Sequence, residues 1–227
     1  MKALIKKAFS MVGLGVYRLD SSDSNAPKQV VVESPLQFNS KEGLNEFYSD
    51  EQAVKSYLDP AFYDRLIDLL RNHGVDYDQK RVADVGCGIG GLLKALKTCF
   101  QTRSLTGFEY SEKALAIARA DVPGVEFCYF DVYEGNPRKF DVIFCIEVIE
   151  HMLHPDKALR SVVGMLDESG VALVTVPNGR VDTFDGHINF WSPESWQVFL
   201  EQTCEGHAIK TGLIEDGKTN YAVISRK

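Results

Sequence analysis

The chain has 227 residues, 44% of them hydrophobic, with a formal net charge of -7 and a pI near 5.3. This length suffices for one α/β domain with a sizeable core and a modest appendage, and it excludes two full domains. The acidic balance argues against a protein that grips an extended nucleic acid, because that function needs clustered Lys and Arg.

The first 28 residues are predicted to form a basic amphipathic segment followed by a linker. Residues 1–19 carry a local charge of +4, with no acidic residue and with apolar residues between the basic ones. No apolar run there approaches the roughly 20 residues of a membrane span. Such a helix either rests on anionic lipid, as a peripheral membrane contact, or packs on the domain or a partner. Residues 20–28 are polar and indicate a linker.

Residues 29–80 are predicted to form a helical cap region in front of the main domain. Helical spacing of apolar residues runs over 43–58 and again over 61–72. Between these helices, Pro60 suits a first helical turn, and Asp59 suits its N-terminal cap.

A glycine-rich turn after a short apolar strand is the most informative stretch of the chain. The strand covers 82–85, four glycines fall within 86–91, and helical spacing resumes over 92–100. Glycines permit backbone angles that a side chain forbids, and they let a ligand approach the main chain closely. The G-x-G-x-x-G spacing by itself also fits a dinucleotide-binding turn.

Three acidic residues at three successive strand ends argue against a phosphorylated ligand. Asp84 stands two residues before the first glycine, Glu109 follows the predicted strand 104–108, and Asp131 follows the strand 125–130. Ligands of α/β sheets bind at the carboxyl ends of the strands, so we expect these acids to face one ligand. They would repel a pyrophosphate, but they suit an ammonium group, a ribose and an adenine amino group.

After the glycine turn, strands and helices alternate as a parallel, doubly wound sheet requires. The remaining predicted elements are strands at 139–146, 170–176, 207–215 and 220–226 and helices at 112–121, 156–166 and 193–202. Ser111 and Ser192 suit the N-terminal caps of two of these helices. The last two strands are joined by Asp216-Gly217-Lys218, which is a hairpin signal.

Four ordered motifs resemble those of the class I S-adenosylmethionine-dependent methyltransferases, from residue 81 to about residue 178. They are D-V-G-C-G-I-G-G, F-E-Y, F-D-V and F-D-V-I-F-C-I-E-V-I-E-H. The resemblance implies an α/β, Rossmann-like, doubly wound seven-stranded sheet with a C-terminal antiparallel hairpin over residues 81–227. It also implies S-adenosyl-L-methionine as cofactor.

The resemblance assigns a set of cofactor-binding residues. They are Asp84, Gly86, Cys87, Gly88, Glu109, Tyr110, Asp131, Val132 and Glu147. By this resemblance, Asp84 borders the methionine end of the cofactor together with the glycines. Glu109 holds both ribose hydroxyls, Tyr110 lies against the adenine, and Asp131 accepts a hydrogen bond from the adenine amino group.

The end of the fourth predicted strand carries the candidate catalytic groups. Methyl transfer from a sulfonium has a neutral leaving group, so the enzyme chiefly aligns the acceptor with the methyl group. The acceptor also loses a proton, which a histidine or carboxylate near the sulfonium can take. His151 is the candidate general base, with Glu150 beside it; alternatively, His151 only braces the following loop.

The same segment raises the question of a divalent metal. Glu147, Glu150 and His151 would share one face of a helical turn, with His187 as a fourth ligand. This pattern resembles the metal site of methyltransferases that modify the terminal 2′-hydroxyl of small RNAs, and ubiquinone-pathway O-methyltransferases share its first three residues. Metal-free relatives share it too, so the metal stays unassigned and we favour its absence.

The leading hypothesis is O-methylation of a small molecule or a glycan precursor, since the basic, apolar start is similar to that of bacterial glycan methyltransferases. The alternatives are an RNA 2′-O-methyltransferase with a metal and a catalytically silent cofactor-binding protein. Residues of the predicted loop 179–189 and beyond it are acceptor-pocket candidates, namely Arg180, Asp182, Asp185, His187 and Trp191. The five cysteines form no C-x-x-C pair, so we expect reduced thiols and a cytoplasmic protein. The oligomeric state leaves no readable trace.

Overall fold

The computed structural model describes residues 34–50, 54 and 59–227. The basic segment and linker predicted at 1–28 lie outside the described residues, and the division into a cap region and a core stays a prediction. Among the described residues, no helix is both long enough and apolar enough to cross a membrane.

A seven-stranded sheet forms the centre of the described chain. Its strands are β1 (Arg81–Val85), β2 (Ser104–Glu109), β3 (Glu126–Tyr129), β4 (Phe140–Ile146), β5 (Leu166–Pro177), β6 (His207–Ile214) and β7 (Thr219–Arg226). They lie in the order β3-β2-β1-β4-β5-β7-β6, where β7 is antiparallel to both neighbours and the other pairs are parallel. The predicted doubly wound sheet with a C-terminal antiparallel hairpin is therefore confirmed.

Helices connect these strands and precede them. They are α1 (Pro35–Phe38), α2 (Lys41–Phe47), α3 (Pro60–Asn72), α4 (Gly91–Cys99), α5 (Glu112–Asp121), α6 (Pro155–Gly164) and α7 (Pro193–Thr203). The side chains of Ser40, Asp59, Ser111 and Ser192 accept hydrogen bonds from first-turn N–H groups. Each such cap stabilises its helix by about 1 kcal/mol. The three caps predicted from the sequence are confirmed.

The sheet is covered by helices on both faces. Leu66 of α3 and Leu93 of α4 pack in one buried cluster with Phe144 of β4. Leu159 of α6 and Trp196 of α7 belong to the cluster on the opposite face. Because both faces are covered, β1 and most of β4 are buried along their length, which explains their unbroken apolar runs.

Two predicted helix boundaries are wrong. The helix predicted over 43–58 ends at Phe47, because the N–H groups of Ser49 and Asp50 bond three residues back and close a turn. Residues 51–53 and 55–58 of that prediction lie outside the described residues. Helix α6 ends at Gly164 instead of reaching Leu166, which pairs with Phe140 at the start of β5. The short helix α1 has no counterpart among the predicted elements.

Candidate active site

The glycine-rich turn joins β1 to α4 at the carboxyl edge of the sheet. Gly86, Gly88 and Gly90 have φ angles of 78°, 50° and 82°, in the left-handed region that favours glycine. A Cβ atom on Gly86 would lie 2.3 Å from the Val148 side chain, and one on Gly88 would lie 2.9 Å from the Tyr48 hydroxyl. Both the backbone conformation and the close approach therefore require glycine.

Glu109 ends β2, and its carboxylate is held by the main chain of two separate segments. Oε2 accepts a hydrogen bond from the N–H of Gly88 at 2.9 Å. Oε1 accepts from the N–H groups of Tyr110 and Ser111, each at 2.8 Å. Burial raises the pKa of Glu109, and the three N–H groups oppose that rise. The carboxylate thus ties the glycine turn to the loop after β2.

Two buried acids, Asp84 and Glu109, and the half-buried Glu147 form an acidic group around the turn. Burial raises the pKa of Asp84 to about 8, and the negative charge of Glu109 adds to the rise. Burial also raises the pKa of Glu147, whose Oε1 has no hydrogen-bond partner among the described residues. Within the described ranges, no Lys or Arg forms an ion pair with these three. A positively charged ligand would favour their ionised forms.

Two cavities open at this edge of the sheet. The larger has a volume of about 440 Å³, and the smaller has about 100 Å³. Most of the larger wall is apolar, formed by Phe38, Leu44, Phe47, Tyr48, Val85, Phe108, Phe130, Val148, Met152 and Phe184. Asn39, His151 and His187 add polar groups to this wall.

The predicted cofactor-binding residues divide between the two cavities. Gly86, Glu109, Tyr110, Val132 and Glu147 line the larger one. Asp84, Gly86, Cys87, Gly88 and Glu147 line the smaller one. Gly86 and Glu147 therefore stand between two adjoining spaces. The roles that the resemblance assigns to these residues stay predictions.

Asp131 follows β3 but lines neither of these two cavities. Its Oδ1 accepts a hydrogen bond from the N–H of Tyr133 at 2.9 Å and so caps the short helical turn Val132–Glu134. Its neighbours Phe130 and Val132 line the larger cavity. The adenine contact assigned to Asp131 stays a prediction, and helix capping is its observed role.

The segment after β4 gathers most of the predicted catalytic and metal-binding groups. Glu150, His151 and His187 offer ligand atoms that all lie within 4.8 Å of one another. Glu147 has a φ of 54° and precedes the 3₁₀ turn Ile149–His151. The prediction that Glu147 shares a helical face with the other two is therefore wrong, because the left-handed backbone at Glu147 breaks the helical spacing.

Burial shifts the pKa values of both candidate catalytic groups. Glu150 is fully buried, and neither carboxylate oxygen has a hydrogen-bond partner among the described residues. Burial and the charge of Glu147 raise the pKa of Glu150 well above its usual range. Burial and the neighbouring His187 lower the pKa of His151 to about 4. Burial thus favours the neutral form of both the Glu150 carboxyl group and the His151 imidazole.

The loop between β5 and α7 forms one side of the larger cavity. His187 Nδ1 lies 2.6 Å from Asp182 Oδ2, and His187 Nε2 lies 3.8 Å from Glu150 Oε1. Asn39 Nδ2 donates to the Gly186 carbonyl at 2.8 Å and so joins α1 to this loop. Two acceptor-pocket candidates of the sequence, Asp182 and His187, thus lie together beside Glu150.

The other candidates from this region lie away from the cavity. Arg180 and Asp185 are exposed, and neither lines the larger cavity. Trp191 does not line the larger cavity and packs against Trp196 with a ring-centroid distance of 5.4 Å.

Sequence reasoning missed several wall residues of the larger cavity. Phe38 and Asn39 come from α1 and its end, and four residues are too few for a periodic apolar pattern. Phe184 and Met152 lie in loops that were singled out for polar groups only. The sequence signal for these two residues was their position after the carboxyl end of a strand, because loops there border ligand sites.

The fold and the site define the class of protein before any comparison. The strand order, the C-terminal hairpin, the glycine turn and the acidic residue at the end of β2 are those of the class I S-adenosylmethionine-dependent methyltransferases. A profile of the methyltransferase domain family matches residues 56–203. The chain belongs to this family, so the predicted family and the fold are both confirmed.

Known proteins resemble this chain over different spans. A ubiquinone biosynthesis O-methyltransferase from Pseudomonas putida is 33% identical over 106 residues, which are 44% of this chain and 45% of that protein. A trans-aconitate 2-methyltransferase from Rhodopseudomonas palustris is 32% identical over 151 residues, 66% of this chain and 58% of that protein. The matches therefore span about half the length of these curated relatives.

Solved structures resemble the fold at lower identity. The magnesium protoporphyrin IX methyltransferase from Synechocystis with bound SAH has a TM-score of 0.60 and 17% identity. The likeness covers 85% of this chain and 98% of that one. At this identity, the likeness demonstrates the shared fold.

Proposed function

We propose that this protein transfers the methyl group of S-adenosylmethionine to a hydroxyl oxygen of a small molecule or a glycan precursor. One observation carries the proposal. The acidic group of Asp84, Glu109 and Glu147 lies beside a cavity of about 440 Å³ and, among the described residues, pairs with no Lys or Arg. A ligand with a sulfonium and an ammonium group supplies the missing positive charge.

The residues present fit this cofactor. Asp84 and the glycine turn would hold the methionine end, and Glu109 would hold the ribose. Tyr110 and Asp131 would contact the adenine. The bound cofactor supplies a methyl group on a positively charged sulfur, which leaves as a neutral thioether. The work left to the protein is to align the acceptor and to take its proton.

The walls of the larger cavity favour a small acceptor. Phe38, Phe47 and Phe184 give it an aromatic lining, while His151 and His187 provide the polar end. A largely apolar cavity of this size suits a small molecule. Likeness to a ubiquinone biosynthesis O-methyltransferase and a trans-aconitate 2-methyltransferase supports the same class of acceptor.

A metal-dependent RNA 2′-O-methyltransferase is the second candidate, because Glu150, His151 and His187 could hold a divalent ion. The net charge of -7 opposes it, since RNA backbones need basic partners. Titration calorimetry with Mg²⁺ and Mn²⁺ separates the two candidates. Heat of binding, together with methyl transfer to RNA that needs the ion, would favour this second candidate.

The first experiment measures cofactor binding. Adenosylhomocysteine should bind the purified protein, and Glu109→Gln should weaken binding about tenfold or more, equal to about 1.4 kcal/mol. Glu112→Gln, at an exposed position three residues further on, is the matched control and should bind normally. Absence of wild-type binding in calorimetry would refute the proposed cofactor.

The second experiment identifies the acceptor and tests for turnover. The protein is incubated with cofactor labelled in the methyl group and with separate pools of phenols, carboxylic acids, nucleotide sugars and RNA. We expect label in a small hydroxylated product. Cofactor binding without label in any pool would instead favour the catalytically silent alternative.

A further inference from the structure

We propose that Asp182 and His187 form the proton-accepting pair of the methyl transfer. Asp182 is the positioning residue, and His187 takes the proton from the acceptor hydroxyl. The inference rests on the proposed function and deepens it. It moves the role of general base from His151, the candidate from the sequence, to His187.

Asp182 is built into the loop in a way that orients His187. Its side chain is 8% exposed, and its Oδ1 accepts a hydrogen bond from the N–H of Phe184 at 3.1 Å. Its Oδ2 lies 2.6 Å from His187 Nδ1. An ionised Asp182 only accepts hydrogen bonds, so a neutral His187 beside it carries its hydrogen on Nδ1. The lone pair of His187 is therefore on Nε2.

His187 lies at the polar end of the larger cavity, and its Nε2 is on the side of Glu150. The residue lines that cavity, although its side chain is only 10% exposed. Its Nε2 lies 3.8 Å from Glu150 Oε1, which is beyond hydrogen-bond distance. Its ring centroid lies 4.7 Å from that of His151. The inference places the acceptor hydroxyl in this part of the cavity, within reach of Nε2.

His187 is better placed than His151 to hold a proton. His151 Nδ1 lies 3.3 Å from the carbonyl oxygen of Gly186, which is a neutral partner. The His151 ring also faces Phe38 and Phe184, at centroid distances of 6.0 and 6.4 Å. A proton on His187 instead forms an imidazolium beside the Asp182 carboxylate, so its charge is compensated.

The chemical step balances with these groups. The acceptor hydroxyl gives its proton to His187 Nε2, and an oxygen lone pair forms the new bond to the methyl carbon. The carbon–sulfur bond breaks, and its electron pair stays on sulfur, which becomes a neutral thioether. The imidazolium returns its proton to solvent after the product leaves. Asp182 keeps its negative charge throughout, as the carboxylate of a histidine pair does.

Variants of the full chain test the pair with the acceptor found in the labelled screen. D182N and H187Q should lower kcat about 100-fold or more, the range of a general base. The KM for cofactor and the melting temperature should stay near the wild-type values. D182E should recover part of the loss, and H151Q should cost less than about tenfold. D185N, at an exposed carboxylate of the same loop, is the matched control.

Nitrogen-15 NMR of the histidine rings gives a readout that does not need turnover. In the wild-type protein, the hydrogen of His187 should lie on Nδ1. In D182N the amide can donate to Nδ1, so the hydrogen should move to Nε2 and remove the acceptor lone pair. A wild-type hydrogen on Nε2 would overturn the pair.

Three kinetic results would also overturn the inference. D182N could retain kcat within about threefold of wild type, which is too small a loss for a base. H151Q could lose more activity than H187Q. Removal of divalent metal ions with a chelator could abolish turnover, which would indicate that His187 Nε2 binds a metal ion and does not act as the base. Failure of the proposed function gives a different result from all three. In that case the wild type labels no acceptor and His187 has no role as a base, although the NMR experiment still finds its hydrogen on Nδ1.

Discussion

Asp84→Asn should stabilise the protein in the absence of cofactor, and the gain should grow with pH. The folded carboxyl group holds its proton up to about pH 8, whereas an unperturbed one releases it near 3.8. Between these values the folded state binds one proton more than the unfolded state, so wild-type stability falls as pH rises. Asparagine has nearly the same shape but does not titrate, so the variant escapes this loss.

The size of the effect follows from the pKa shift of Asp84. Each pH unit above 3.8 costs the wild type about 1.4 kcal/mol, which accumulates to about 4 kcal/mol at pH 7 as an upper bound. The stability difference should therefore rise from about 2 kcal/mol at pH 5 and level off above pH 8, where the folded carboxyl group also ionises.

Urea unfolding of both proteins at unit steps from about pH 5 to 9 measures this difference directly. Asp121→Asn, at an exposed position at the end of α5, is the control and should change stability little at any pH. A difference between Asp84→Asn and wild type that stays constant with pH would refute the reasoning, because it would mean that burial does not keep the carboxyl group protonated.

Two further predictions concern the same turn. Binding of S-adenosylmethionine near pH 7 should release protons, because the positive ligand favours the ionised form of Asp84. The affinity for the cofactor should therefore rise from pH 6 to 8. Calorimetry in buffers of different ionisation heat measures the number of protons released. Gly86→Ala should destabilise the fold by more than the roughly 1–3 kcal/mol of backbone strain alone, because its Cβ also meets Val148. Gly74 has a φ of 84° and open space around it, so Gly74→Ala measures the cost of backbone strain alone. An equal loss of stability for the two variants in urea unfolding would contradict a clash between the Cβ added at Gly86 and Val148.

The half of the site that is assigned to the cofactor follows from local sequence. Asp84 and Glu109 each end or nearly end a buried apolar strand, and parallel strands bring their carboxyl ends to one edge. The glycines between them mark a turn with left-handed backbone angles. These signals span a few residues each, so reading them requires no knowledge of distant contacts.

The acceptor half depends on contacts that a linear pattern does not encode. Asp182 meets His187 only because the loop folds back on itself, with the Phe184 N–H bound to Asp182 Oδ1. Helix α2 stops at Phe47, so the Tyr48 hydroxyl lies over Gly88, 40 positions further on. Such pairings arise from packing, and the periodicity that marks helices and strands carries no trace of them.

The tie between Asn39 and Gly186 joins segments that lie 147 positions apart, on either side of the cofactor-binding stretch. Segments before and after the residues assigned to the cofactor thus meet at the wall of the larger cavity. Under the proposed function, substitutions at this tie are expected to change acceptor choice more than cofactor affinity. In a fold divided in this way, acceptor specificity can change while the residues assigned to the cofactor stay the same.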